Sequence, residues 1–158
     1  MPTVETTYRH GVDAVFALLT DPEHVRRRSE AAGHRNVQVS VQRRGDVVEV
    51  RLERDIEADI PAIAKKVVDP VNHVVDVIEY RSRGDAKIAT FRVEVSPRIR
   101  VRGTIELRPE GAGCRQLETF TATVDVPIVG RKIAELVEKE TAAAIRGDHA
   151  FTARALDG

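Results

Sequence analysis

The chain has 158 residues, 42% of them hydrophobic, and its 25 basic and 25 acidic side chains cancel to a formal net charge of zero. That length suffices to bury a core without staples, and the charge balance excludes a field that would steer the chain to nucleic acid or to an anionic membrane. The single cysteine, Cys114, closes no internal disulfide, and no apolar run approaches the ~18 residues of a membrane span.

The N-terminal stretch Met1-Pro2-Thr3-Val4-Glu5 has neither the basic patch nor the apolar run of a signal peptide, so a cytoplasmic protein is expected. Val4, Thr6 and Tyr8 alternate with polar residues over Thr3 to Arg9, and this period of two predicts a first strand. Val12, Val15, Phe16 and Leu19 follow at helical spacing. That helix stops near Thr20 because Asp21-Pro22-Glu23 starts another: Asp21 suits the N-cap, Pro22 the first helical position and Glu23 the positive end of the dipole. The second helix, to about Ala32, is mostly polar and therefore superficial, and Gly33 ends it.

Val37, Val39 and Val41 alternate with polar partners, Gly45-Asp46 makes a turn, and Val48, Val50 and Leu52 resume the alternation, which predicts a hairpin. Pro61 breaks the pattern between Ile56 and Lys66, where one helical turn is predicted at Ala62 to Lys66. Two further strands, Val74 to Arg81 and Ala86 to Ser96, flank Arg83-Gly84-Asp85. Arg98 to Arg108 is the cleanest strand, with Ile99, Val101, Gly103, Ile105 and Leu107 on one face and Arg98, Arg100, Arg102, Thr104, Glu106 and Arg108 on the other. Gly103 within that apolar face marks a bend or a close approach. After the loop Pro109 to Gly113, Cys114 to Val126 is the seventh strand.

At Pro127 the period changes from two to 3.6, and one long helix is predicted from there to about Ala155. Turning successive residues by about 100° puts Ile133, Leu136, Val137, Ala144 and Phe151 on one stripe, together with Glu140 and Gly147. A carboxylate on such a stripe is costly unless paired, and Gly costs about 1 kcal/mol against Ala within a helix. Two readings stand: Glu140 lies at the edge of the stripe and reaches water, or the stripe faces a partly wet pocket in which Gly147 leaves room for a ligand. The apolar sheet face needs a cover, and this helix, about 42 Å long at 1.5 Å per residue, is the only element long enough.

The order of one strand, two short helices, six strands and a long terminal helix resembles the helix-grip fold of the START/SRPBCC superfamily. Three stretches resemble a bacterial branch of it whose function is unknown: Leu18-Leu19-Thr20-Asp21-Pro22-Glu23, Ile60-Pro61-Ala62 with Lys65-Lys66, and Val126-Pro127-Ile128-Val129-Gly130-Arg131-Lys132-Ile133. The resemblance spans the chain, 1–158, as a single domain. It implies an α+β fold in which a curved antiparallel sheet of six or seven strands wraps around the C-terminal helix, with a cavity beneath that helix. Its motifs are structural and imply no catalytic residue. The chain departs from that branch at Tyr80, where the resemblance implies Trp after Glu79, and the smaller ring changes the cavity's shape.

Gly111-Ala112-Gly113 lacks the third Gly and the following helix of a dinucleotide fingerprint, and Gly130-Arg131-Lys132 lacks the spacing of a P-loop. His10, His24, His34, His73 and His149 share no ligand spacing, so neither a metal nor a cofactor is expected. His149 falls opposite the apolar stripe and is expected in solvent. Cys114 has no His nearby in sequence and reads as an inert thiol. Arg98, Arg100 and Arg102 lie beside Glu94 and Glu106 on an ion-paired outer face, with too few aromatics for single-strand stacking.

The expected function is binding or transport of a small, largely hydrophobic molecule, lipid-like or polycyclic, between sheet and helix. Its site is expected from Tyr80, Phe91, Val101, Gly103 and Phe120 on the strands, and from Glu140, Ala144, Gly147 and Phe151 on the helix. Two alternatives stand beside it: a cyclase or dehydratase using Glu140 with Tyr80 as acid and base, and a protein-interaction module with an Arg-rich outer face over a filled core. Neither nucleic acid nor an integral membrane partner is expected, and the sequence sets no oligomeric state.

Overall fold

The computed structural model describes residues 1–158. Strand β1 (Thr3–Tyr8) leads into helices α1 (Val12–Leu19) and α2 (Pro22–Ala31). Strands β2 (Arg35–Arg44), β3 (Val47–Glu57), β4 (Val71–Arg83), β5 (Ala86–Ser96), β6 (Ile99–Glu110) and β7 (Gly113–Val124) follow, and helix α3 (Gly130–Asp157) ends the chain. The seven strands form one antiparallel sheet in the order β1-β7-β6-β5-β4-β3-β2. This is the expected helix-grip arrangement, a curved antiparallel sheet around a long C-terminal helix.

Local chemistry accounts for the joints. Asp21 caps α2 by accepting the Glu23 N–H at 3.1 Å, with Pro22 in the first turn. At the far end Gly33 has φ +89°, and the His34 N–H reaches back to the Ser29 carbonyl, a left-handed helix stop. The predicted hairpin turns at Gly45 and Gly84 both have positive φ, as two-residue turns between twisted strands require. The predicted turn at Ala62 to Lys66 is present as a shorter 3-10 turn, Ala62–Ala64. Strand β2 is a free edge, and Arg35, Arg43 and Arg44 project from it, which discourages pairing with another strand.

The register builds an inner face in rows. Val50, Ile78, Phe91, Gly103 and Phe120 lie abreast across β3 to β7. On one side of that row run Leu52, Asp76, Val93, Val101 and Ala122. On the other run Val48, Tyr80, Ala89, Ile105 and Glu118, continued by Val4 on β1. The helices cover this face unevenly: α3 packs chiefly on β7 and β1, and α2 on β2 and β3. Two apolar cores result. One, including Val15, Leu19, Val25, Val50 and Leu107, takes in Ala153 and Leu156 from the end of α3; the other joins Val4, Val101 and Phe120 to Ala142 and Ile145. Phe91 packs against both.

Two expectations about the long helix are corrected. It begins at Gly130, three residues after Pro127, because the reversal out of β7 uses a left-handed residue: Ile128 has φ +68° and is fully exposed. Pro127 sits in that turn, which is closed by the Val129 N–H donating to the Pro127 carbonyl at 2.8 Å. The second correction is one of phase. From Glu138 onward the buried residues Ala142, Ile145, His149 and Thr152, with half-buried Glu138, Thr141 and Leu156, form a stripe turned by about 140° from the one through Glu140 and Gly147, while Ile133 of that predicted stripe is buried near the helix start. Glu140, Ala144 and Gly147 are exposed on the outer side, and a Cβ on Gly147 would meet nothing within 4 Å.

Candidate functional site

The inward stripe of α3 is partly polar because the sheet beneath it is polar too. His149 Nε2 lies 2.5 Å from Glu118 Oε2, with the two side chains only 7% and 11% exposed. His24 Nε2 is 3.0 Å from the Thr152 hydroxyl, and Glu138 accepts the Ala122 N–H at 2.9 Å where β7 runs on past β1. On β1 and β7, the Tyr8 hydroxyl donates to Gln116 at 2.8 Å.

A second group lies toward β3 and β4. Arg54 Nη2 donates to Asp76 Oδ2 at 3.2 Å, and Nη1 is 2.9 Å from Oδ1, with side-chain exposures of 10% and 18%. The fit is incomplete: Arg54 Nε and Asp76 Oδ1 are buried without an aligned hydrogen bond. Arg28 of α2 is 13% exposed and forms no hydrogen bond; Asp148 of α3 stands 3.6 Å from its Nε. Tyr80 is 3% exposed, with its ring edge-on to Phe16 at 5.3 Å and no partner for its hydroxyl.

The electrostatics tie these groups together. Burial raises the Tyr80 hydroxyl well above its ordinary value, and the charge of Glu118 adds to this. Burial also raises the Asp148 carboxyl, against the opposing pull of Arg28. For Arg28 burial works against the charge, but Asp148, Tyr80, Glu118 and Asp76 together hold the guanidinium more firmly protonated than usual. Burial, with Arg28 adding, pushes the His24 imidazole down to about 4, and burial with the charge of Arg54 lowers that of His34. The inner face therefore carries a belt of buried polar groups beside its two apolar cores.

Five of the residues expected at the site share this face. Phe91, Gly103 and Phe120 are cross-strand neighbours in one row, with Val101 and Tyr80 in the rows on either side. Gly103 is the close approach its position announced: a Cβ there would lie 2.2 Å from the Thr119 carbonyl oxygen and 2.6 Å from the Phe91 ring. The helix residues behave differently. Glu140, Ala144 and Gly147 face away from the sheet, and Phe151, half-buried, packs its ring 5.5 Å from that of His24. Glu140 and Tyr80 therefore form no acid–base pair. His149, expected in solvent, is instead buried against Glu118.

Arg54, Asp76 and Glu118 were missed, although the signal was present. Each continues an apolar alternation: Val48-Val50-Leu52-Arg54, Val74-Asp76-Ile78-Tyr80, and Glu118-Phe120-Ala122. Arg28 carried no such signal, since α2 is mostly polar around Val25, and neither did Asp148, which lies outside the apolar stripe predicted for α3. A surface depression of about 360 Å³ lies elsewhere, on the outer face between His73, Glu94, Pro97 and Arg100.

A seven-stranded sheet gripping its C-terminal helix over a half-covered inner face defines a START/SRPBCC-like, helix-grip fold. Within that class the chain belongs to the family described as protein of unknown function (DUF2505), which matches residues 3–156. Among solved structures it is similar to a protein from Thermus thermophilus, at 18% identity and TM-score 0.66, covering 98% of this chain and 94% of that one. It is also similar to the Zhui aromatase/cyclase from Streptomyces sp. R1128, at 11% and 0.64, covering 99% and 92%. A third is a STAR-related lipid transfer protein from Xanthomonas axonopodis, at 15% and 0.60, covering 99% and 85%. No curated protein matches the chain in sequence. No helix is long and apolar enough to cross a membrane.

Proposed function

We propose that the protein binds a small, largely hydrophobic molecule against the inner face of its sheet. The observation that carries this reading is the state of Ile78, Phe91 and Val93. They are apolar, they point inward, and they are only half-buried, because α3 packs chiefly on β7 and β1 and leaves β4 and β5 less covered. Apolar surface held open beside a few convergent polar groups is the usual composition of a small-molecule site. Ile78, Phe91 and Val93 form its floor, buried Val101 and Phe120 with Gly103 continue that face beneath α3, and Tyr80 stands at one end. That a lipid transfer protein and an aromatase/cyclase share the fold supports the same class of ligand.

Native mass spectrometry of the protein as purified, before and after organic extraction, tests the reading, with Ile78→Arg as the comparison. A co-purifying small molecule is expected on the parent protein and absent from Ile78→Arg, because a long charged side chain there occupies the open face. A protein that carries none and also binds no apolar probe refutes the proposal.

A further inference from the structure

We infer that the polar end of the bound molecule is an uncharged carbonyl oxygen, of an ester, ketone or amide, received by Arg28 and Tyr80, rather than a carboxylate or a phosphate. This rests on the binding reading above and adds the chemistry of the ligand's head.

The unpaired groups are mainly donors. Arg28 is mostly buried and forms no hydrogen bond; its ion-pair contact is with the Asp148 carboxylate, 3.6 Å from Nε. The Tyr80 hydroxyl is held in a nearly buried side chain without a partner, and the Nε of nearly buried Arg54 has none either. Of these only Arg54 Nε is fully buried, but donors on an inner face that find no protein partner are uncommon, and Arg28 and Tyr80, both without one, point to an acceptor supplied from outside.

Position then links the donors to the apolar floor. On β4 the inward residues run Asp76, Ile78, Tyr80, so a body lying along Ile78 and Phe91 brings one end to Tyr80. The cross-strand neighbour of Tyr80 is Ala89, small and buried beside it. Arg28, on α2, reaches Asp148 of α3 at 3.6 Å and feels the charges of Glu118 and Asp76 as well as Tyr80.

Charge decides the kind of acceptor. The belt contains two guanidiniums, Arg28 and Arg54, and three carboxylates, Asp76, Glu118 and Asp148, with His149 bonded to Glu118. Its net charge is −1 with His149 neutral and zero with it protonated. An anionic head would be a fourth negative group in a poorly hydrated volume that already holds more carboxylates than guanidiniums. An ammonium head would leave the donors unmet. A neutral oxygen satisfies them and adds no charge.

Matched ten-carbon probes separate these outcomes: decan-2-one, decanoate, decyl phosphate and decylammonium, titrated calorimetrically into the full chain near neutral pH below their micelle concentrations. Decan-2-one is expected to bind about ten-fold more tightly than any of the three charged probes. Tyr80→Phe, which keeps the ring against Phe16, should weaken decan-2-one about five-fold while its thermal melt stays close to that of the parent, and Arg28→Met should do the same. Decanoate or decyl phosphate binding as tightly as the ketone overturns the inference and leaves the binding reading standing. So does an affinity for decan-2-one that Tyr80→Phe does not change. Failure of all four probes to bind overturns the inference, and removes the binding reading with it when no molecule co-purifies.

Discussion

The Glu118–His149 contact is the sharpest test of how the long helix is held. At 2.5 Å, with both side chains about nine-tenths buried, the pair joins the middle of β7 to the third quarter of α3. His149→Leu leaves the Glu118 carboxylate buried without its closest partner. Breaking such a pair from one side costs about 3–5 kcal/mol, and the charge of Arg28 nearby places the expectation at the lower end. For a domain of this size 1 kcal/mol moves Tm by about 2–4 °C, so a fall of about 10 °C is expected. Replacing both residues, Glu118→Leu with His149→Leu, removes the charge together with its counterpart, and the double variant should be more stable than His149→Leu alone by about 2 kcal/mol. Urea unfolding at neutral pH followed by far-UV circular dichroism measures all four corners of the cycle. The reasoning fails if the two single effects simply add, or if His149→Leu costs less than about 1 kcal/mol, since either would mean that the contact exists without holding anything.

Four other outcomes are expected. Gly103→Ala forces a Cβ to within 2.2 Å of a backbone oxygen that cannot rotate away, so its urea midpoint should fall by the equivalent of about 3 kcal/mol, more than an ordinary overpacking change. Gly147→Ala, on the outer face of α3 with open space around it, should instead stabilise by up to about 1 kcal/mol and leave ligand binding unchanged. The buried His24 imidazole, lowered from 6.5 to about 4, favours its neutral form in the folded state, so the stability it contributes is complete above about pH 6.5 and is lost as pH falls toward 4. That loss amounts to up to about 3 kcal/mol, and His24→Gln should flatten the pH dependence of the melt in this window. Cys114, fully buried and with its thiol pushed up to about 11, should resist a thiol-modifying disulfide reagent at pH 8 in the native protein and react at once in urea.

Local rules determined a great deal of this molecule without help from the fold. Period-two alternation marked all seven strands, Asp21-Pro22 and Gly33 bracketed α2, and positive-φ glycines placed the hairpins, because each of these depends on a few neighbouring residues and on backbone sterics that do not change with context. The strand side of the inner face followed as well. A strand has only two faces, so once Phe91, Gly103 and Phe120 are known to share the apolar one, pairing brings them abreast. The helix had no such protection. An amphipathic pattern identifies its inward face only by hydrophobicity, and on α3 the residues that go inside include Glu138, His149 and Thr152, each of which finds its partner on a distant element: the Ala122 N–H, Glu118 and His24. Those partners are 16, 31 and 128 residues away in sequence. A buried polar group is tolerable only when its complement is delivered to it, and that delivery is an act of the tertiary fold. The same holds for the start of the helix, where the path out of β7 put Ile128 into a left-handed turn and overruled the local preference of Pro127 for a first helical position.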